Sequence, residues 1–193
     1  RHMKRLCSIF FMWSMCAVML LGNEHMQFRS LPIDGNLKSA IKEVKKWGFM
    51  GMKMKNVGVL MGTLDNEEVM ITLLATPESQ TLFSVVVVYE GSNLWDELLT
   101  KYEAINATVA AQYGDPVEHM NKWEAPYSID NHPIQAFKEG KAVYGSTYNA
   151  DNGNVIVNVV CIEGKMGITV TYLDAKNQVR LQEEGGVDAF TIE

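Results

Sequence analysis

Residues 31–48 carry apolar and polar positions with a helical period. Leu37, Ala40, Ile41 and Val44 fall on one stripe. Asn36 stands at the N-cap after the turn Leu31-Pro32-Ile33-Asp34-Gly35, and Gly48 ends the stripe, with Phe49 placed for the apolar contact of a glycine cap. Four strand-like runs follow at 49–55, 57–64, 69–76 and 82–89. The last contains Val85-Val86-Val87-Val88, apolar on both sides, which predicts a central strand. A second, longer helix is predicted after Ser92 and Asn93. Trp95, Leu98, Leu99, Tyr102, Ile105 and Val109 form its stripe until Gly114 and Pro116 stop it. Between Asn131 and Gly140, Pro133–Lys138 predicts one or two further helical turns.

From residue 141 to 173 the pattern changes to strict alternation. Taking Asn152-Gly153 and Gly164-Lys165 as two-residue hairpin turns predicts a register by counting. Tyr148, Val157 and Tyr172 then align, as do Ser146, Val159 and Val170, and Tyr144, Cys161 and Ile168. These residues share a core face. Thr147, Asn158 and Thr171 share the other face, followed by Gly145, Val160 and Thr169, and that face meets solvent or a partner.

The predicted class is α+β: antiparallel sheet with helices packed on one face. Residues 23–91 hold the first helix and a four-stranded meander, 92–116 the long connecting helix, and 117–193 the short helix and a second meander. Glu24-His25-Met26 with Ile33-Asp34 is echoed by Glu118-His119-Met120 with Ile129-Asp130. The echo fits two related halves joined by the long helix, or chance.

Composition adds a compartment. Arg1 and His2 precede Met3 and read as a remnant. Lys4 and Arg5 then lead into residues 6–21, which carry no charge, so residues 1–22 read as a remnant plus a cleaved export signal. An uncleaved anchor and a buried helix are the alternatives. Without Arg1, Lys4 and Arg5, the 17 basic residues become 14 against 23 acidic, a net charge of −9. That balance opposes nucleic acid and anionic lipid surfaces, and a cleaved leader leaves nothing to insert stably in a membrane. The expected setting is the bacterial periplasm, cell envelope or exterior. Of three cysteines only Cys161 lies beyond the leader, so no intrachain disulfide can form there.

Met26-Gln27-Phe28 through Pro32-Ile33-Asp34-Gly35 ahead of a helix ending in Gly48-Phe49, then Tyr113-Gly114-Asp115-Pro116, then Tyr172-Leu173-Asp174, resemble a group of uncharacterised exported bacterial α+β proteins. In architecture these are similar to PepSY-like and β-lactamase-inhibitor-protein-like folds. The resemblance implies a small exported module that binds other proteins through an open sheet face. It transfers no site residue.

Candidate chemistry is sparse. Met50, Met52 and Met54 alternate along one strand face, and soft thioethers suit Cu(I), although methionine equally fills cores. Cys161, with His25, His119 and His132 as the mature chain's histidines, reads as a buried structural thiol. Asp65, Glu67 and Glu68, Asp96 and Glu97, and Glu183, Glu184 and Asp188 read as solvated carboxylates, with Asp96 and Glu97 suited to a helix N-terminus. The run 149–153 lacks the glutamate of a calcium loop, and Asn106-Ala107-Thr108 is a glycosylation sequon inside the long helix. No phosphate loop, nucleophile elbow or zinc motif is present, and the sequence calls for no cofactor. The expectation is a non-enzymatic module that engages a protein or peptide through Thr147, Asn158 and Thr171 or through Trp123 and Tyr127. A copper-handling protein and a hydrolase with a dispersed site are the alternatives.

Overall fold

The computed structural model describes residues 24–186. The leader, its cleavage, Cys7, Cys16 and Asp188 lie outside the described residues. A two-stranded hairpin of β1 (Gln27–Phe28) and β2 (Leu31–Pro32) leads into α1 (Leu37–Lys46). The Asn36 side chain accepts the Lys38 N–H at 2.9 Å, and Leu37, Ala40, Ile41 and Val44 are all buried. Gly48 closes the helix with a φ of +93°, a conformation costly for a residue with a Cβ.

The chain then runs through β3 (Met50–Met54), β4 (Val57–Leu64), β5 (Glu67–Ala75) and β6 (Leu82–Glu90) as an antiparallel meander. Asp65 and Asn66, with φ of +50° and +69°, form the two-residue turn between β4 and β5. Helix α2 (Trp95–Tyr113) crosses to the second half: β7 (Glu118–Trp123), α3 (Pro133–Lys138), β8 (Ala142–Ala150), β9 (Gly153–Ile162), β10 (Lys165–Asp174) and α4 (Ala175–Glu183). Ser92 does not cap α2 directly. Its Oγ accepts the Leu94 N–H at 3.0 Å and donates to Glu97 at 2.6 Å, tightening the approach to the helix.

The expected α+β class is the one observed. Eight strands form one antiparallel sheet in the order β3-β4-β5-β6-β10-β9-β8-β7. The last strands of the two halves, β6 and β10, pair at its centre, so the described parts of the segments 23–91 and 117–193 share one sheet and one hydrophobic core. Helices α1, α2 and α3 pack on the core face, α1 over β3–β5 and α2 and α3 over β8 and β9. Helix α4 contacts β6, β9 and β10, and its Leu181 is buried, as is Leu173 on the other face, both outside the main core cluster. It closes one end of that second face. No described helix is long and apolar enough to cross a membrane.

The predicted hairpin register needs correction. The turns are Asp151-Asn152 and Glu163-Gly164, one residue earlier than expected in each case. Tyr148 therefore faces Val155, which faces Tyr172, and Ser146 faces Val157, which faces Val170. Glycine misled the counting. Gly153 is a strand residue opposite Asp174, where an added Cβ would overlap the Leu173 carbonyl oxygen, and Gly164 takes the second turn position at φ +79°. Moving a turn by one residue moves every partner by two, so the assignment of residues to faces survives.

Candidate functional site

On the second sheet face, cross-strand pairing brings side chains into rows. Met50, Met61, Met70, Val88, Thr169, Asn158 and Gly145 make one row across seven strands. Met52, Val59, Thr72, Val86, Thr171, Ile156 and Thr147 make the next. Neither row carries a charge until β7, where Glu118 joins the second. No described helix covers the β3–β5 part of this face. Met50 is 79% exposed, Met52 65%, Met54 52% and Met61 65%.

The open part of this uncharged surface is its β3–β5 end, headed by the four methionines; towards the centre Ser84, Val86, Thr169, Thr171 and Leu173 are buried. Exposed apolar patches of this kind are commonly functional. Two polar atoms on the same face are buried without a hydrogen-bond partner among the described residues, Ser84 Oγ and Asn158 Oδ1. Buried groups of this kind are rare in folded proteins and are usually completed by water or a ligand.

The expected binding residues are only partly brought together. Thr147 and Thr171 share the second row with Ile156 between them, while Asn158 lies one row away between Thr169 and Gly145. Thr171 is 3% exposed, sunk between the larger side chains of Val86 and Ile156. Its hydroxyl is a poor first contact; Val86 beside it is buried too, and Ile156 is the more exposed neighbour.

Trp123 and Tyr127 lie elsewhere. Trp123 is half-buried on the core face, its ring edge-on to Trp95 at 5.8 Å and to Phe137 at 5.7 Å, so it seals the end of the core. Tyr127 sits under the Lys141 ammonium at 5.3 Å. Glu139 completes that group, its pKa lowered to about 2 by hydrogen bonds from Gln135, Lys141 and Tyr127.

Met50, Met52 and Met54 are not core residues. They project from the open face, with Met61 opposite Met50 and Met70 beyond it, and sequence reading missed these two because the pairing that aligns them is nonlocal. Among the described residues no group of three His, Cys, Asp or Glu side chains is placed to hold a metal.

Two polar clusters invite a catalytic reading. Ser146 Oγ lies 3.0 Å from His119 Nδ1 and 2.8 Å from the Tyr102 hydroxyl, beside a cleft of about 360 Å³ between α2 and the β7–β8 edge. Ser146 is wholly buried and its oxygen is held by both neighbours, which leaves no approach for a substrate carbonyl. Burial pushes the Tyr102 phenol up to about 12, so it stays a neutral hydrogen-bonding group. The second cluster joins His25 to Asp174 at 3.1 Å and to Asp34 at 3.6 Å. Asp174 also accepts the backbone N–H of Met26 at 2.7 Å and of Asn177 at 2.9 Å. These bonds tie the N-terminal hairpin to the start of α4 and make Asp174 a structural carboxylate. Cys161 faces the core as expected, but it is half-buried rather than buried, and its cross-strand partner is Met166 rather than Ile168.

Comparison with protein families, with characterised proteins and with solved structures finds no match to this chain.

Proposed function

We propose that the protein is a non-enzymatic binding module that docks a protein or peptide on the open face of its sheet. The supporting observation is the uncharged surface of exposed methionines on β3 and β4, left without a described helix over it, in a chain whose formal net charge is −6. Flexible, polarizable methionine side chains adapt to an apolar partner, and the valine, isoleucine and threonine side chains behind them supply a firmer floor. The partner this face fits presents an uncharged, apolar surface, because a charge placed on it would lose water without gaining an ion pair. Export to the cell envelope and kinship with inhibitor-like sheet modules belong to the same proposal, resting on the leader and the motifs of the sequence.

The test pairs two proteins. The parent chain and Val59→Glu are immobilised and exposed to envelope extract. The reading expects a partner that the parent enriches and Val59→Glu does not, with equal melting temperatures. Equal enrichment by both, or none by the parent, overturns it.

A second reading has its own observation. Met61 and Met70 extend the Met50, Met52 and Met54 thioethers into a five-sulfur patch with the softness that Cu(I) prefers. Cu(I) would then raise the melting temperature of the parent, and replacing Met50, Met52 and Met54 by Leu would abolish the rise. No shift in the parent ends this reading.

A further inference from the structure

The helix-covered face is not sealed along its whole width. Between the β1–β2 hairpin and α2, above the central pair β6 and β10, lies a cleft of about 470 Å³. It sits on the seam where the two halves of the sheet meet. Its floor is Tyr89, Val170 and Tyr172, and Ile105, Val109 and Tyr113 of α2 form one wall. The volume is in the range of small-molecule sites, roughly 300–1,000 Å³.

The phenol groups are the informative part. Among the described residues no hydrogen bond from the protein reaches the hydroxyls of Tyr89, Tyr113 or Tyr172. Burial raises the pKa of all three, most strongly for Tyr172, so each hydroxyl keeps its proton and remains a donor. All three line the same cleft. Phenol donors that line a cleft without a protein partner are available to an acceptor that enters it.

Three charged residues line the cleft, Arg29, Asp65 and Glu67, and each is already paired. Arg29 is paired with Asp65 at 2.6 Å and Lys101 with Glu67 at 2.7 Å. A charged ligand would have to break a pair or face an uncompensated neighbour. We infer that this cleft is a binding site for a neutral, largely apolar small molecule carrying an acceptor oxygen, which lies on Val170 and Ile105 and receives hydrogen bonds from Tyr172 and its neighbouring phenols. The site is on the opposite side of the sheet from the proposed docking face and does not depend on it.

The neutral naphthyl ketone prodan has this chemistry, and its emission shifts to the blue when it leaves water. Titrated into the full chain, it gives a saturable blue shift with one site per molecule. Tyr172→Phe keeps the ring and weakens binding about five- to tenfold, the loss of one hydrogen bond. Ala104→Trp, at an exposed position on the rim, fills the cleft and removes binding without lowering the melting temperature. Met61→Lys, on the other face, leaves binding unchanged. The absence of a saturable response in the parent overturns the inference, as does a response that survives Ala104→Trp or falls with Met61→Lys. Undiminished affinity in Tyr172→Phe removes the assigned hydrogen bond. Equally tight binding of the anionic probe anilinonaphthalene sulfonate contradicts the neutral ligand class.

Discussion

On β4, Leu60 is wholly buried on the helix-covered face, while Met61, the next residue, is 65% exposed on the other. The same contrast repeats along the sheet: Ile71 against Met70, and Val157 against Asn158. One face is filled by three helices and a hairpin, with Phe28, Trp47 and Tyr172 packed ring against ring at 6.0 and 5.0 Å. The other is left without a helical cover over β3–β5, and its two methionine rows carry apolar and hydroxyl side chains rather than lysines and glutamates; Glu68 and Glu90 stand in the next row of the same face. The exposed, uncharged methionines of β3 and β4 are the feature on which the docking proposal rests.

Stability should separate the two faces most sharply. Leu60→Ala removes a buried side chain from the core and is expected to lower unfolding free energy by about 2–5 kcal/mol, whereas Met61→Ser should change it by less than about 0.5 kcal/mol. Urea denaturation of the pair measures both, and similar losses would mean the second face is covered.

Asp174→Ala comes next. It strands the N–H groups of Met26 and Asn177 at the junction of hairpin and α4, a loss of about 2–4 kcal/mol. The same denaturation series checks it. A smaller effect, about 1 kcal/mol, is expected for Asn36→Ala, which removes the α1 cap but none of its buried stripe.

The smallest effect is a pH dependence. Glu184 accepts from Ser79 Oγ and from the N–H groups of Glu78 and Ser79, and its pKa is lowered to about 2. A depressed carboxyl stabilises the fold above its unfolded value, near 4.5, and that stabilisation is lost as pH falls toward 2. Melting temperatures followed from pH 6 to pH 2 should fall less steeply in Glu184→Gln than in the parent.

What could be read from the sequence was local or depended only on parity. The α1 stripe and its cap were legible because Asn36, Leu37 and Val44 act within one helix. The two faces of β8–β10 were legible because alternation survives an error of two in register, and the register itself was not, because Gly153 serves strand contact rather than the turn. Strand β7 escaped notice: Glu118–Trp123 is a short, polar edge strand with no clear alternation. Helix α4 was hidden for a similar reason, with only Asn177 and Leu181 buried along nine residues. The role of Trp123 depends on Trp95 and Phe137, which only the fold brings to it. That Thr147, Asn158 and Thr171 share the second face was legible from alternation, but the open methionine end of that face required the pairing of β3, β4 and β5, and the tyrosine cleft required α2 to be laid across β6 and β10.

The most direct measurement of the docking account is methionine oxidation by dilute peroxide, read residue by residue with and without the partner recovered on the parent chain. The account predicts that Met50, Met52 and Met61 oxidise quickly alone and are protected in the complex, while the buried Met166 stays slow in both. Equal oxidation of the three exposed methionines in free and bound protein would place the partner elsewhere and contradict it.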